Sequence, residues 1–574
     1  MKKFLLGIFT GLVFAFLAGI ILIFSAARLG ETRPTISDNA TLVLNLQGDI
    51  PEKAPVSFPL PIPYLTSKTP LTVSEIWQAL QRAATDNRVK AIVLNVGRMD
   101  AGWAKAGELR EDILNFRKSG KPVYALLRSP GLREYYVATA ADRIYANPED
   151  RIDVKGMRAE IMYFKNALDK LGVQVEVRHV GKFKDYGDMF TKNGLTPETR
   201  ESLGLVLDGI FNHVVQVLAT ARKKSPEQIK AIFDNGPYTA KQAKAAGLID
   251  ELRYEDQVYG EMKTQLKQSE LKKVDFSRYV RSLTPEGEAK KRIALVVGSG
   301  TILRGSGEDA MGTDEGFTSG AFAKMLRSVA NDSTVSGVIL RIDSGGGDAF
   351  ASDEMLREVR LLHDKKPMVI SFSDYAASGG YYVAMSGDPV ISYPNTVTGS
   401  IGVVYTKFNL RGLYDKLGIQ KDFILKGRNA NVDTDYGPMS PEAEERLQSG
   451  LDEFYKQFVT VVSEGRKRKY EEMEPLAQGR VWLGIDAKSR GLVDELGGLD
   501  TALAAVKKKA GIADKDKVRI VAYPPKRTLL EQFMKSSNES ASMESLVAKW
   551  TGMDIRSLSA SGYLRILPFR LGLN

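Results

Sequence analysis

The chain repeats itself at a fixed spacing. Asp86 to Leu94 reads DNRVKAIVL and Asp332 to Leu340 reads DSTVSGVIL, 246 positions later. Tyr135 to Ala138 and Tyr381 to Ala384 share YYVA at that same spacing, and Leu171-Gly172-Val173 returns as Leu417-Gly418-Ile419. Ala246 to Leu252 (AGLIDEL) returns as Arg490 to Leu496 (RGLVDEL), at a spacing of 244. Chance does not hold a register over so long a stretch, so two domains of one fold stand in tandem. The length of 574 residues also exceeds one ordinary core. The seam is expected in the charged stretch Lys263 to Arg292. Within the first copy, apolar runs at Thr41 to Leu46, Ala91 to Val96, Val123 to Leu127, Arg143 to Ala146 and Val175 to Val180 read as strands. A helical pattern at Glu108 to Arg117 falls between two of them, and another, Glu201 to Arg222, follows the last. This alternation predicts an α/β fold with a parallel sheet.

The halves differ where chemistry is expected. In the second copy, Pro367 to Phe372 reads as a buried strand, Ala376-Ala377-Ser378-Gly379-Gly380 as a tight turn, and Tyr381 to Met385 as the first turns of a helix. Small residues on both sides let another backbone approach Ser378. A serine at a strand–helix junction also lies where helix N–H groups converge. This stretch alone is equally consistent with a glycine-rich turn that only packs tightly. In the first copy the position of Ser378 falls on Leu132, and the loop Asp343 to Gly347 falls on Gly97 to Ala101, no longer glycine-rich. Conversely, Gly181-Lys-Phe-Lys184 of the first copy meets Gly427-Arg-Asn-Ala430 in the second, so Lys184 is replaced by alanine. Each half lacks what the other keeps.

Composition narrows the chemistry. The chain has no cysteine, which excludes disulfides, thiol nucleophiles and Cys-ligated zinc. The net charge of +10 comes from Lys and Arg dispersed among acidic residues, and no nucleic-acid motif accompanies it, so no nucleic-acid partner is expected. Gly298-Ser-Gly300 and Gly305-Ser-Gly307 lack the lysine of a phosphate loop. Phe4 to Phe24 carries no charge, long enough as a helix for a bilayer core, with Lys2 and Lys3 before it and Arg28 after it. The positive-inside rule then predicts a cytoplasmic N-terminus and an extracytoplasmic bulk. Ser25-Ala26-Ala27 would suit cleavage, but the run is longer than a signal-peptide core, so an uncleaved anchor is expected. A C-terminal piece, Thr528 to Met534, is amphipathic.

A serine hydroxyl needs a base. The three histidines offer little: His213 and His363 fall in helices and read as surface or capping residues, and His179 is the one histidine close in sequence to Lys184. A lysine is the alternative. Its reference pKa of about 10.4 must fall toward 7, a destabilisation of the ammonium by roughly 4–5 kcal/mol, which burial in an apolar cleft between domains can supply. By spacing alone, an exposed loop lysine is the favoured reading of Lys184.

Taken together, Ala376 to Tyr381, Thr398-Gly-Ser400-Ile-Gly402, Asp343 to Gly347, and Gly479 to Lys488 followed by Gly491 to Asp494 resemble signal peptide peptidase A in its long, duplicated form, the protease IV family. The resemblance runs over roughly residues 40 to 510 and includes the N-terminal anchor. It implies tandem ClpP/crotonase-like α/β domains behind a transmembrane helix: an anchor over 1–28, a first repeat over 29–290 supplying the lysine, a second over 291–526 supplying the serine, and a tail over 527–574. It implies a Ser–Lys endopeptidase of the bacterial inner membrane, with periplasmic domains, that degrades remnant signal peptides and assembles as a homo-oligomer, with a tetramer expected. No metal or cofactor is implied. Carried over by position, Ser378 resembles the nucleophile and Lys184 the general base. Ser400 resembles the serine that orients the lysine, and Gly379 and Gly346 resemble the oxyanion donors. The family's Ser-Pro-Gly-Gly is here Ser344-Gly345-Gly346-Gly347, so the loop has more freedom in the unfolded chain. A crotonase-like acyl-thioester enzyme and a non-catalytic scaffold of the same fold are the alternatives.

Overall fold

The computed structural model describes residue 11 and residues 34–55, 69–283, 291–305, 317–525 and 562–566. Apart from that one residue, the predicted anchor over 4–24 lies outside them, as does the amphipathic piece over 528–534. Each half is built on a largely parallel sheet, and six strands follow the same order in both, the second sheet adding Val397–Gly399 and, antiparallel to it, Val481–Leu483. In the first, Glu251–Leu252, Arg143–Ala146, Val123–Leu127, Val89–Asp100, Ala40–Asp49 and Lys272–Asp275 lie side by side. In the second, Met368–Ala377, Val335–Ser344, Arg292–Ser299 and Arg519–Tyr523 take the corresponding places, and Val390–Ser392 pairs with Met368–Ala377 and with Glu495–Leu496. The chain is therefore a duplicated mixed α/β protein.

Several boundaries depart from the sequence expectation. The seam is narrower: Lys272–Asp275 and the helix Phe276–Ser282 belong to the first half, with Lys272–Asp275 running parallel beside Ala40–Asp49. Two lysines and an aspartate hid this strand, and such charges suit a short sheet edge. The helix after Ser378 is only Gly379–Val383. The long helix Pro197–Arg222 starts four residues earlier than expected, at a proline in the first turn, after Thr196, whose hydroxyl accepts the Thr199 N–H. It is long and apolar enough to cross a membrane by composition. Its Val206, Ile210, Val214 and Leu218 are buried in the core, which accounts for that composition.

The halves are interlocked. One continuous apolar cluster contains Leu109 and Ile113 of the first half together with Ile293, Ile339 and Val369 of the second. A smaller sheet crosses the boundary: Gln174–Val180 pairs antiparallel with Val403–Asn409, in a register that sets Val180 opposite Val403. On its other edge Val403–Asn409 pairs with Gly562–Ile566, which pairs in turn with Gly346–Asp348, both antiparallel.

A buried ionic cluster also spans the boundary. The Arg341 guanidinium is fully buried and donates to Glu52 Oε1 at 2.9 Å and to Glu108 Oε2 at 2.5 Å, both from the first half. Ser371 Oγ and the Phe372 carbonyl accept its other N–H groups. Burial alone would raise Glu52, but Arg341 and Lys105 overcome it and hold this carboxyl below its ordinary value. Removing the cation strands two carboxylates in a dry interior. Arg341→Met is expected to lose about 3–5 kcal/mol of stability, read as a lower urea midpoint, and adding Glu52→Gln and Glu108→Gln to it is expected to recover part of that loss.

Candidate active site

The lysine loop is shaped by glycines and gripped by the second half. Gly181 has φ +112° and Gly479 has φ +75°, and each lies so close to the other's segment that a side chain would collide with backbone. The Phe183 N–H donates to the Gln478 carbonyl at 2.8 Å. The Arg480 guanidinium lies 3.8 Å from the centre of the Phe183 ring, a cation–π contact that holds Gly-x-Phe-Lys from one side. Arg480 also donates to Glu201.

The serine turns are strained. Ser378 has φ +54° and ψ −118°, and Ser400 has φ +50°, conformations that cost a non-glycine residue of order 1–3 kcal/mol. Backbone bonds hold both: the Ser378 N–H donates to the Gly399 carbonyl at 2.8 Å and the Ser400 N–H to the Arg480 carbonyl at 2.7 Å. Gly380 is needed because a Cβ there would meet the Ser344 carbonyl oxygen at 2.5 Å, so the small residues around Ser378 do admit a second backbone.

These two constructions meet. Lys184 Nζ donates to Ser378 Oγ at 2.8 Å, to Ser400 Oγ at 2.9 Å and to the Ser400 carbonyl at 3.0 Å, all within one chain. Lys184, Ser378 and Ser400 are each 0% exposed. Next in sequence, the Asp185 carboxyl is pushed up to about 6 by burial, against the opposing pull of Thr199 and Lys184. Gly379 is the first residue of its helix. The Gly346 N–H points at Ser344 Oγ, 3.2 Å away, and that hydroxyl donates to the Gly300 carbonyl at 2.6 Å. The loop without proline is thus tied by its own serine.

The histidines are engaged elsewhere. His179 is exposed beside the Gly181 carbonyl. His213 is half-buried against Tyr136 rather than on the surface, and His363 pairs with Asp388 at 2.8 Å. The counterparts lost to divergence are equally clear: Leu132 is buried at the start of its helix, and Ala430 is exposed in a turn. Sequence reasoning missed Lys105, whose ammonium lies 2.8 Å from Asp343 and 3.6 Å from Asp374. Its only signal is that its counterpart at the repeat spacing, Ala351, carries no charge.

Known proteins extend this picture. The chain is 32% identical over 512 residues to the chloroplastic serine protease SPPA of Arabidopsis thaliana, covering 88% of this chain and 74% of that one. It is 30% identical over 478 residues to Protease 4 of Salmonella typhi, covering 81% and 76%. A solved ClpP1 variant from Listeria monocytogenes overlays at a TM-score of only 0.24, with 14% identity over 36% of this chain and 94% of that one, and carries no argument here. The duplicated α/β halves and these relatives define a serine peptidase, which sets aside the acyl-thioester and scaffold alternatives. More narrowly, the model of peptidase family S49 matches residues 115–269 and again 360–513, and the chain belongs to that family.

Two outcomes follow from the geometry. A Cβ on Gly402 would meet Lys184 Cδ and the Val180 carbonyl oxygen at 3.1 Å, so Gly402→Ala is expected to lower peptide hydrolysis by about tenfold, roughly 1.4 kcal/mol of barrier. Its melting temperature is expected to fall as well, because the Val180 carbonyl and the Gly479 Cα, at 3.2 Å, are backbone and must move by a few tenths of an ångström. The Asp185 pKa is higher folded than unfolded, so the native state holds the extra proton between about pH 4 and 6. Stability therefore falls as pH rises through that window, by about 3 kcal/mol. Urea midpoints measured against pH are expected to show this fall in the parent and to lose it in Asp185→Asn.

Proposed function

We propose that this S49 peptidase is a Ser–Lys endopeptidase in which Ser378 is the nucleophile and Lys184 the general base. The observation that carries this is the 2.8 Å hydrogen bond between two fully buried groups, one from each half. A neutral amine has two N–H groups and one lone pair. Ser400 offers Lys184 two acceptors, its hydroxyl and its carbonyl, which can hold both N–H groups. The lone pair is then directed at Ser378 Oγ. This is what the orienting role of Ser400 means in bonding terms.

Catalysis proceeds by proton exchange on one amine. Lys184 takes the Ser378 proton as Oγ bonds to the substrate carbonyl carbon, and the carbonyl oxygen gains the charge. Backbone N–H groups of Gly379 and Gly346 receive that oxyanion, the latter exchanging Ser344 Oγ for it. The ammonium then protonates the amide nitrogen as the C–N bond breaks. Water attacks the ester, gives its proton to Lys184, and Ser378 recovers its own as the acyl group leaves.

The substrate is an extended peptide held by main-chain hydrogen bonds. Support comes from Gly562–Ile566, which occupies a place one strand wide between Gly346–Asp348 and Val403–Asn409. The substrates are remnant signal peptides; support comes from a relative of Enterococcus faecium named putative signal peptide peptidase SppA, 31% identical over 40% of this chain and 67% of that one, and from the uncharged stretch 4–24. That stretch anchors the chain in the bacterial inner membrane, with Lys2 and Lys3 cytoplasmic and a periplasmic, ClpP/crotonase-like pair of domains assembled as a homo-oligomer, a tetramer.

Hydrolysis of a fluorogenic apolar peptide tests the assignment. Ser378→Ala and Lys184→Ala are each expected to lower kcat by at least 10³-fold, and Ser400→Ala by about 10–100-fold. Full activity in either of the first two variants would sink it. A chain ending at Ser561 is expected to show a KM several-fold lower with kcat unchanged, because the peptide no longer competes with Gly562–Ile566 for its place.

A further inference from the structure

Lys105 lies outside the reacting groups, yet it joins the two segments that carry the oxyanion donors. The strand Val335–Ser344 ends in the loop that holds Gly346, and Met368–Ala377 ends at Ser378 and Gly379. Asp343 sits at the first end and Asp374 four residues before Ser378. Lys105 Nζ pairs with Asp343 Oδ2 at 2.8 Å and approaches Asp374 Oδ2 at 3.6 Å. Asp343 also accepts the Tyr375 N–H at 3.1 Å, which ties the two strand ends directly. Asp374 in turn accepts the Gly102 N–H at 2.7 Å and the Lys105 N–H at 2.9 Å, so it caps the first-half helix Trp103–Arg117, whose own N-cap glycine has no side chain to do so. Burial disfavours the Lys105 ammonium, but Asp343, Asp374 and Glu52 more than compensate and hold it charged.

The clamp is divided between the halves. At the repeat spacing, Lys105 corresponds to Ala351, Asp343 to Gly97 and Asp374 to Arg128. Neither half carries a complete set, and the set closes only where the second half's loop needs support. That loop has Ser344-Gly345-Gly346-Gly347, with no proline to stiffen it, and Gly346 and Gly347 have φ +98° and +159°.

We propose that Lys105 is a positioning residue of the peptidase reaction: from the non-nucleophilic half it fixes Asp343 and Asp374 together, and so fixes the distance between the Gly346 and Gly379 N–H groups that receive the oxyanion. This rests on the assignment of Ser378 and Lys184 as the reacting pair. The clamp touches neither of those side chains, so its effect falls on the transition state rather than on peptide binding.

The test compares Lys105→Met, Lys105→Arg and the triple variant Lys105→Met, Asp343→Asn, Asp374→Asn, which leaves no unpaired buried charge. Each is assayed with a fluorogenic peptide and with a peptide boronic acid that forms a tetrahedral adduct on serine. Lys105→Met is expected to lower kcat about 30-fold with KM within twofold, and to weaken the boronic acid by the same factor. Lys105→Arg is expected to recover kcat to within about threefold of the parent. The triple variant is expected to regain the parent melting temperature but not its kcat. If kcat returns with stability in the triple variant, or if Lys105→Met keeps the parent kcat, the proposal is overturned. Failure of the underlying assignment looks different: Ser378→Ala would then still hydrolyse the peptide, and the parent would form no boronic-acid adduct on Ser378.

Discussion

The antiparallel pairing of Gln174–Val180 with Val403–Asn409 is the constraint on which the site depends. Its register puts Val180 opposite Val403, so the chain leaving one strand reaches Lys184 four residues on, while the chain entering the other has just passed Ser400 three residues before. A one-residue slip would turn the lysine loop to the other face of the sheet. The glycines at 181, 402 and 479 then let three backbones close around one aliphatic stem. A water-free pocket for an amine is thus made by strand pairing and close backbone contact, with no need for a large cavity.

On the proposed Ser–Lys assignment, duplication makes a division of labour possible. A lone domain must carry both serine and lysine in its own sequence. Two copies can instead face each other, and each can discard the group the other supplies. The same logic reaches the charged groups. Arg341 of one half meets Glu52 and Glu108 of the other, and Lys105 meets Asp343 and Asp374. Buried ions of this kind add little net stability over apolar packing, but an unpaired one is costly, so they penalise every misaligned docking of the halves.

Much of this could be read from the sequence, for identifiable reasons. Buried parallel strands such as Val123–Leu127 are continuous apolar runs, so their positions were plain. Ser378 and Lys184 stood out because comparing the halves exposes a complementary loss, which needs no knowledge of the fold. What stayed hidden was long-range and polar. Nothing local distinguishes Lys105 or Glu52 from a surface charge, since their partners lie more than two hundred residues away. The positive φ of Ser378 and Ser400 was hidden too, because tertiary hydrogen bonds impose it on residues that do not prefer it. The hydrogen bond from Gly346 to Ser344 tethers a loop that has no proline, and nothing in the order of its residues announces that bond.

The cap that Asp374 places on the helix Trp103–Arg117 has a consequence for biosynthesis. A ribosome that has made only the first half has made a helix without its cap, a lysine loop without its walls, and two glutamates without their arginine. The cap needs Asp374, the glutamates need Arg341, and the last of these contacts forms only once residues near 480 have emerged, so they come late and close long loops. On the proposed Ser–Lys assignment, the nascent chain therefore carries no armed hydrolase until its second half is made, and activity arrives as one of the last events of folding.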